Sequence, residues 1–333
     1  MQFLGGSLYK TFSGFSVIGV FGLFVLGGLV RSTGSGMGCP DWPLCYGMLA
    51  PPLVEKDLPI DYREVFNQQR LEKVDKLVRF LRSVGMDRQA NAIMLSPYLK
   101  NNHQFNVVKA YIEYINRLWG ALVGLCVFVM LVLSLLGKKD PRISLWWPIA
   151  GFLLVIANGW IGSKVVDSNL LGGMVTFHFF FAMLALLSLI WSHPFQFNLT
   201  TKPKKNTIVL LSVVLFVQLL FGTWVREIVD LRHSEGVVFD LNAYKILGPS
   251  FSYHRLGFVL VLLLSFLQFR MFGYQKKSVS FYILLLVLFQ ALNGSLNLFF
   301  DFPGFWQASH IFFAALLLSL QFYTLKSIVR QNA

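Results

Sequence analysis

Three of the six histidines in this 333-residue chain, His178, His254 and His310, lie inside long apolar runs. An ionisable side chain in such a run costs about 2.5–3.5 kcal/mol on insertion scales, so it marks an interior with a task. The other three, His103, His193 and His233, fall in polar connections and read as ordinary solvated side chains. The stretch "EYINRLWG", residues 113–120, adds Glu113, Asn116 and Arg117 at the edge of a further apolar run. A related stretch, "SYHRLG" at 252–257, carries His254 and Arg255.

Opposed imidazoles on two helices of a bundle, here His254 and His310, are what a bis-histidine haem needs. A zinc site would want a third or fourth N, S or O ligand, and the second half of the chain offers none at that depth. Periodicity alone leaves histidines that merely pack helices as the alternative. In the first half, Asn116 stands where the second half has His254. Glu113, spaced i, i+3 from Asn116, shares its helix face. With His178 this makes one strong ligand, one weak polar neighbour and a carboxylate. Such a set leaves room for water or an oxygen species and suits a reactive site better than an electron-transfer site.

These residues need elements to carry them. With 55% hydrophobic and only 14% charged residues, the chain is too apolar for a soluble domain. A helix crosses the hydrocarbon core with about 20 apolar residues. Eight blocks qualify, at roughly 12–32, 109–136, 143–163, 173–192, 207–226, 252–271, 279–299 and 306–326. The first lacks a cleavage site and reads as a retained span. The fold class expected is all-α integral membrane, with eight transmembrane helices.

One set of connections and ends collects Lys10, Lys138, Lys139, Arg142, Lys202, Lys204, Lys205, Arg270, Lys276, Lys277, Lys326 and Arg330 against a single acid, Asp140. The positive-inside rule puts that side, and both termini, in the cytoplasm. A multi-pass protein of a bacterial cytoplasmic membrane is expected. Anionic lipid at the inner face accounts for the net charge of +13, so no nucleic acid is implied. All four of Glu113, His178, His254 and His310 then lie roughly 3–9 Å below the outer boundary. The long outer connection, 33–108, contains "DYREVFNQQRLEKVDKLVRFLRSVG", whose apolar spacing predicts an amphipathic helix over 61–84 and a shorter one near 86–95.

The two halves resemble each other span by span. "EYINRLWG" answers "SYHRLG" at an offset of 138, "NGWIG" (158–162) answers "NGSLN" (293–297) at 135, and "MVTFHFFFA" (174–182) answers "WQASHIFFA" (306–314) at 132. Arg31 answers Arg226 at 195, the longer offset reflecting the first outer loop. Four spans per repeat make a parallel repeat, hence two four-helix bundles side by side: 1–200, including the loop, and 201–333. Arg31, Arg117, Arg226 and Arg255 sit near the histidine level, where snorkelling or charge-assisted bonds to haem propionates would employ them. Cys39 and Cys45, just outside the first span, are placed for a disulfide in an oxidising compartment, and no CxxCH for covalent haem occurs.

Taken together, "GGLVRSTGSGMGCPDWPLCYG", "EYINRLWG", "TFHFFFA", "YHRLG" and "SHIFFA" resemble the haem A synthase family of cytochrome oxidase assembly over nearly the whole chain. The resemblance implies an oxidoreductase with haem b between His254 and His310. It also implies an N-terminal site that oxidises the C8 methyl of haem O to a formyl through hydroxymethyl and gem-diol stages. Glu113 matches the family's essential glutamate and His178 its fourth-span histidine, while Asn116 departs from members with a second histidine. Expected partners are haem O, a haem O synthase, cytochrome oxidase assembly factors and membrane lipid, with a homo-oligomer as an option. The competing reading is a dihaem cytochrome b acting as a quinol oxidoreductase.

Overall fold

The computed structural model describes residues 2–94, 104–138, 140–141, 143–167, 173–199, 204–239, 243–275 and 278–331. It is all-helical among these residues. The elements are α1 (Gln2–Ser32), α2 (Tyr62–Ser83), α3 (Asp87–Met94), α4 (Val107–Leu135), α5 (Trp146–Asp167), α6 (Met174–Ser192), α7 (Lys205–Ser234), α8 (Ala243–Met271), α9 (Val279–Phe299) and α10 (Gly304–Gln331). Eight of them, all but α2 and α3, are long and apolar enough to cross a membrane. The chain is therefore a multi-pass membrane protein. Of the basic residues used for orientation, Lys139, Arg142, Lys202, Lys276 and Lys277 lie outside the described residues.

Helix ends follow local chemistry. The Asn106 side chain accepts from the Lys109 N–H at 3.0 Å and starts α4, and α6 stops at His193, before Pro194. Helix α7 runs on to Ser234, so Arg226 sits two turns inside it rather than at its end as the hydropathy block suggested. Helix α8 is kinked where Gly248 takes φ 67°, a left-handed conformation open to glycine, immediately before Pro249.

Helices α1, α4, α5 and α6 pack in sequence with α6 returning to α1; α7, α8, α9 and α10 do the same. Diagonal pairs, α4 with α6 and α8 with α10, make no comparable contact among the described residues, so each ring has an interior between them. The rings meet along α1 and α6 on one side and α10 and α7 on the other. Since lipid is as apolar as a leucine side chain, the seam relies on close fit and polar clasps rather than on hydrophobic burial. A Cβ on Gly28 would lie 2.9 Å from that of Ala308, and Phe21 stacks edge-on against Phe312 with centroids 5.8 Å apart. At the end far from the 33–106 connection, the fully buried Lys326 donates to the carbonyls of Ile190, His193 and Phe195. It thereby satisfies orphan acceptors at the C-terminus of α6 with a charge of the favourable sign.

Over the opposite end lies a compact cap. Cys39 and Cys45 form a disulfide, and Tyr46 packs edge-on against Tyr62, Phe66 and Phe105 at 6.1, 5.4 and 5.4 Å. The two helices predicted in the outer connection appear as α2 and α3, which bury Val74, Val78, Leu81 and Ile93 against each other.

Candidate functional site

In the C-terminal ring, His254 enters from α8 and His310 from the diagonal helix α10. Two imidazole–metal bonds of roughly 2 Å, with about 1.2 Å from each nitrogen to its ring centre, put the centres of a bis-histidine pair roughly 6 Å apart. The centres of His254 and His310 are 6.4 Å apart, with planes at 72°. Residues and spacing therefore fit one metal clasped between them. No cluster of three or more His, Cys, Asp or Glu occurs among the described residues, so two imidazoles and a planar macrocycle suit the donor set better than a tetrahedral ion.

Each ring is seated by the neighbouring odd-numbered span. The amide nitrogen of Gln218 on α7 lies 3.1 Å from Nδ1 of His254 and donates to the His254 carbonyl at 2.7 Å, which leaves Nε2 for a ligand. One turn on, a Cβ on Gly222 would lie 3.2 Å from Cε1 of His254. Gln290 on α9 donates to the His310 carbonyl at 3.0 Å, and a Cβ on Gly294 would lie 3.3 Å from Cε1 of His310. Nδ1 of His310 is enclosed without a hydrogen-bond partner.

The N-terminal ring repeats half of this. A Cβ on Gly162 of α5 would lie 3.1 Å from Cε1 of His178, and Asn158 stands one turn earlier on the same helix. Nδ1 of His178 is likewise enclosed and unpartnered. The glycine that seats His178 is thus Gly162, 132 residues before Gly294. The 135-residue match of "NGWIG" to "NGSLN" aligned the Asn-Gly dipeptides instead of the histidine seats, and a Cβ on Gly159 would meet nothing within 4 Å. Asn116, on α4, is half-buried.

Glu113 is 3% exposed and faces the cap. Its Oε2 accepts from the Cys39 N–H at 2.9 Å, and its Oε1 pairs with Arg117 one turn on. Arg117 also donates to the carbonyls of Asp41 (2.6 Å), Leu44 (2.8 Å) and Cys39 (3.1 Å). Carboxylate and guanidinium together clamp the disulfide loop onto the end of α4.

The other arginines divide. Arg31 and Arg226 share one carboxylate, Asp230, at 2.6 and 2.7 Å, and so bridge the two rings. Glu227 ties α7 to α6 through Thr176 Oγ1 at 2.7 Å. Arg255 is exposed and lies over the Phe251 ring, 5.7 Å from its centroid.

Sequence reasoning passed over Gln218, Gln290, Asp230 and the three seating glycines. A signal existed: an amide followed four residues later by glycine recurs as Asn158/Gly162, Gln218/Gly222 and Gln290/Gly294. Asp230 follows Arg226 by one turn.

The family described as Cytochrome oxidase assembly protein (COX15-CtaA) matches residues 10–72 and 88–322. Three relatives that share similarity are each named Heme A synthase. That of Shewanella oneidensis is 26% identical over 337 residues, 90% of this chain and 91% of its own. That of Rickettsia prowazekii is 22% identical over 342 residues, 92% and 93% of the two chains. That of an Exiguobacterium species is 46% identical over 57 residues, 16% and 19% of the two chains.

Proposed function

Because the chain belongs to the Cytochrome oxidase assembly protein family, we propose that it is a haem A synthase, oxidising the C8 methyl of haem O to a formyl group. The observation that carries this reading is the inequality of the two rings. One has His254 and His310 with ring centres 6.4 Å apart, while the other has His178 and Asn116 with Glu113 close by on α4. Names of relatives aligned over nine-tenths of the chain support it.

In this reading the rings are parallel repeats, and the capped end faces out of the cytoplasm. The C-terminal ring is the cofactor half, 201–333, where His254 and His310 would hold haem b; when bound, haem b supplies electron transfer to or from the substrate. The N-terminal half, 1–200, takes haem O, with His178 as its imidazole ligand. Glu113 sits one helical turn from Asn116 and is held by the Cys39 N–H and Arg117. A carboxylate so fixed takes up protons released at the reacting methyl or steadies positive charge developing there. Arg117 positions it and keeps the disulfide loop closed over the site. Arg31 and Arg226, paired on Asp230 at the seam, are placed to meet propionates, and Arg255 to do so at the rim. Haem O would come from a haem O synthase in the same membrane, and the product would pass to oxidase assembly factors.

Purified protein supplied with haem O and analysed by pyridine hemochrome spectra tests the proposal, because haems B, O and A are distinguished there. Conversion of haem O to haem A, with haem B retained, is expected. Two alike bis-imidazole haems and no formyl product would instead mark a dihaem electron-transfer cytochrome.

A further inference from the structure

Three histidines in this fold share one seat, a helical glycine that admits the Cε1–H edge, with an amide residue one turn before it. The first span contains a fourth such glycine. Gly27 precedes Gly222 by 195 residues, the offset that relates Arg31 to Arg226, and Asn116 precedes His254 by 138. Packing agrees independently of these offsets. Gly19 meets Val123, Gly22 meets Trp119 and Leu23 meets Gly120. This antiparallel register of α1 on α4 continues one turn further to place Gly27 level with Asn116. Yet a Cβ on Gly27 would meet nothing within 4 Å, whereas the seats of the three histidines are filled at 3.1 to 3.3 Å. The amide has gone too, for Leu23 stands one turn before Gly27, where the other three seats have Asn158, Gln218 and Gln290.

With Asn116 and not an imidazole at this level, no other side chain comes within 4 Å of a Cβ on Gly27. Packed helices normally leave few voids wider than a water molecule, and a glycine kept opposite a shortened side chain maintains one. The residues that this register brings to the turn of Gly27 are the aliphatic Leu23 on α1 and the neutral Asn116 on α4. We infer that Gly27, Leu23 and Asn116 line a binding position for a small neutral ligand on the face of the substrate haem opposite His178. This rests on the proposed seating of that haem by His178 and goes beyond it. It assigns Gly27 as the residue that keeps the position open and Asn116 as the residue that leaves it unligated.

The test uses full-length protein loaded with haemin, with imidazole as the probe. Wild type is expected to bind two haems per chain, one low-spin and unresponsive, the other high-spin and converted to low-spin by imidazole. Asn116→His fills the seat, so the responsive fraction falls at least tenfold without added imidazole. Gly27→Val blocks the seat, weakening imidazole at least tenfold in the wild-type background and restoring a high-spin fraction to Asn116→His. The unresponsive low-spin signal serves as the folding control in each variant. Two haems bound, both low-spin and silent to imidazole, would overturn the inference while leaving His178 as a ligand. A stoichiometry of one haem per chain, unchanged by His178→Ala, would overturn the seating by His178 and the inference with it.

Discussion

In the C-terminal ring, His254 is gripped on two sides: Gln218 bonds its Nδ1 and carbonyl, and Gly222 receives its ring edge. The register of α1 on α4 puts Asn116 at the level of Gly27 in the N-terminal ring, and the polar chemistry lies one turn along α4 at Glu113. One ring invests its polar groups in orienting two imidazoles. The other invests them in holding a carboxylate against a disulfide loop. In the proposed reading the same four-helix arrangement serves permanent ligation in one case and access in the other, with the difference carried by Leu23, Glu113 and Asn116.

The comparison breaks most severely at Glu113. Glu113→Gln keeps the shape and the acceptor oxygen but removes the charge, and haem A formation is expected to fall at least about 100-fold, the scale of a lost acid–base group. Haem b spectra should not change; if haem A continues to form at the wild-type rate in pyridine hemochrome assays, the carboxylate has no part in the chemistry.

Next in size is Arg117→Ala, which strands a nearly enclosed carboxylate and frees three loop carbonyls. Removing one partner of a buried pair costs about 3–5 kcal/mol. A lowered thermal midpoint and a drop in activity of tens-fold are expected, along with faster reaction of Cys39 and Cys45 with a thiol reagent after mild reduction. Arg117→Lys should recover little, since a single ammonium cannot span four acceptors.

Of the fold, much was open to reading in the chain. All eight spans and the cap helices α2 and α3 follow from hydropathy and period. What packing decides was harder to see. The true extent of α7 escaped because Glu227, Asp230 and Arg232 lower its hydropathy, although all three groups have partners. Arg117 looked like a propionate ligand because charge at a helix end says nothing of direction. In the structure it turns to the loop. In the third and seventh spans the Asn-Gly dipeptides align at one offset and the glycines that seat histidines at another, since glycine's role as a seat depends on which helix faces it.

A subtler sharpening gives the C-terminal ring the N-terminal pattern. Gln218→Leu copies the Leu23/Gly27 pair, and loss of this orienting amide should weaken haem b binding about tenfold. Haem retention during dilution measures it, and unchanged retention would mean that Gly222 alone seats His254.

The smallest effect lies at the far end of the seam. Burial, then the neighbouring charges of Lys326, Lys10 and Arg330, hold the His193 imidazole down to about 4. Folded protein thus stays neutral there while an unfolded chain, at its ordinary value of 6.5, takes up a proton. Stability is therefore lost as pH falls below 6.5, by about 1 kcal/mol down to pH 5.5. Thermal midpoints in detergent should show this slope flattened in His193→Phe; an equal slope in both proteins would remove His193 from the clasp.

In the proposed reading the two rings are unequal because only one grips iron from both sides. Electron paramagnetic resonance of the ferric protein, comparing wild type with His254→Ala and His178→Ala, tests it most directly. A bis-imidazole low-spin signal that disappears in His254→Ala and persists in His178→Ala is expected. Persistence of that signal in His254→Ala, or its loss from folded His178→Ala, would contradict it.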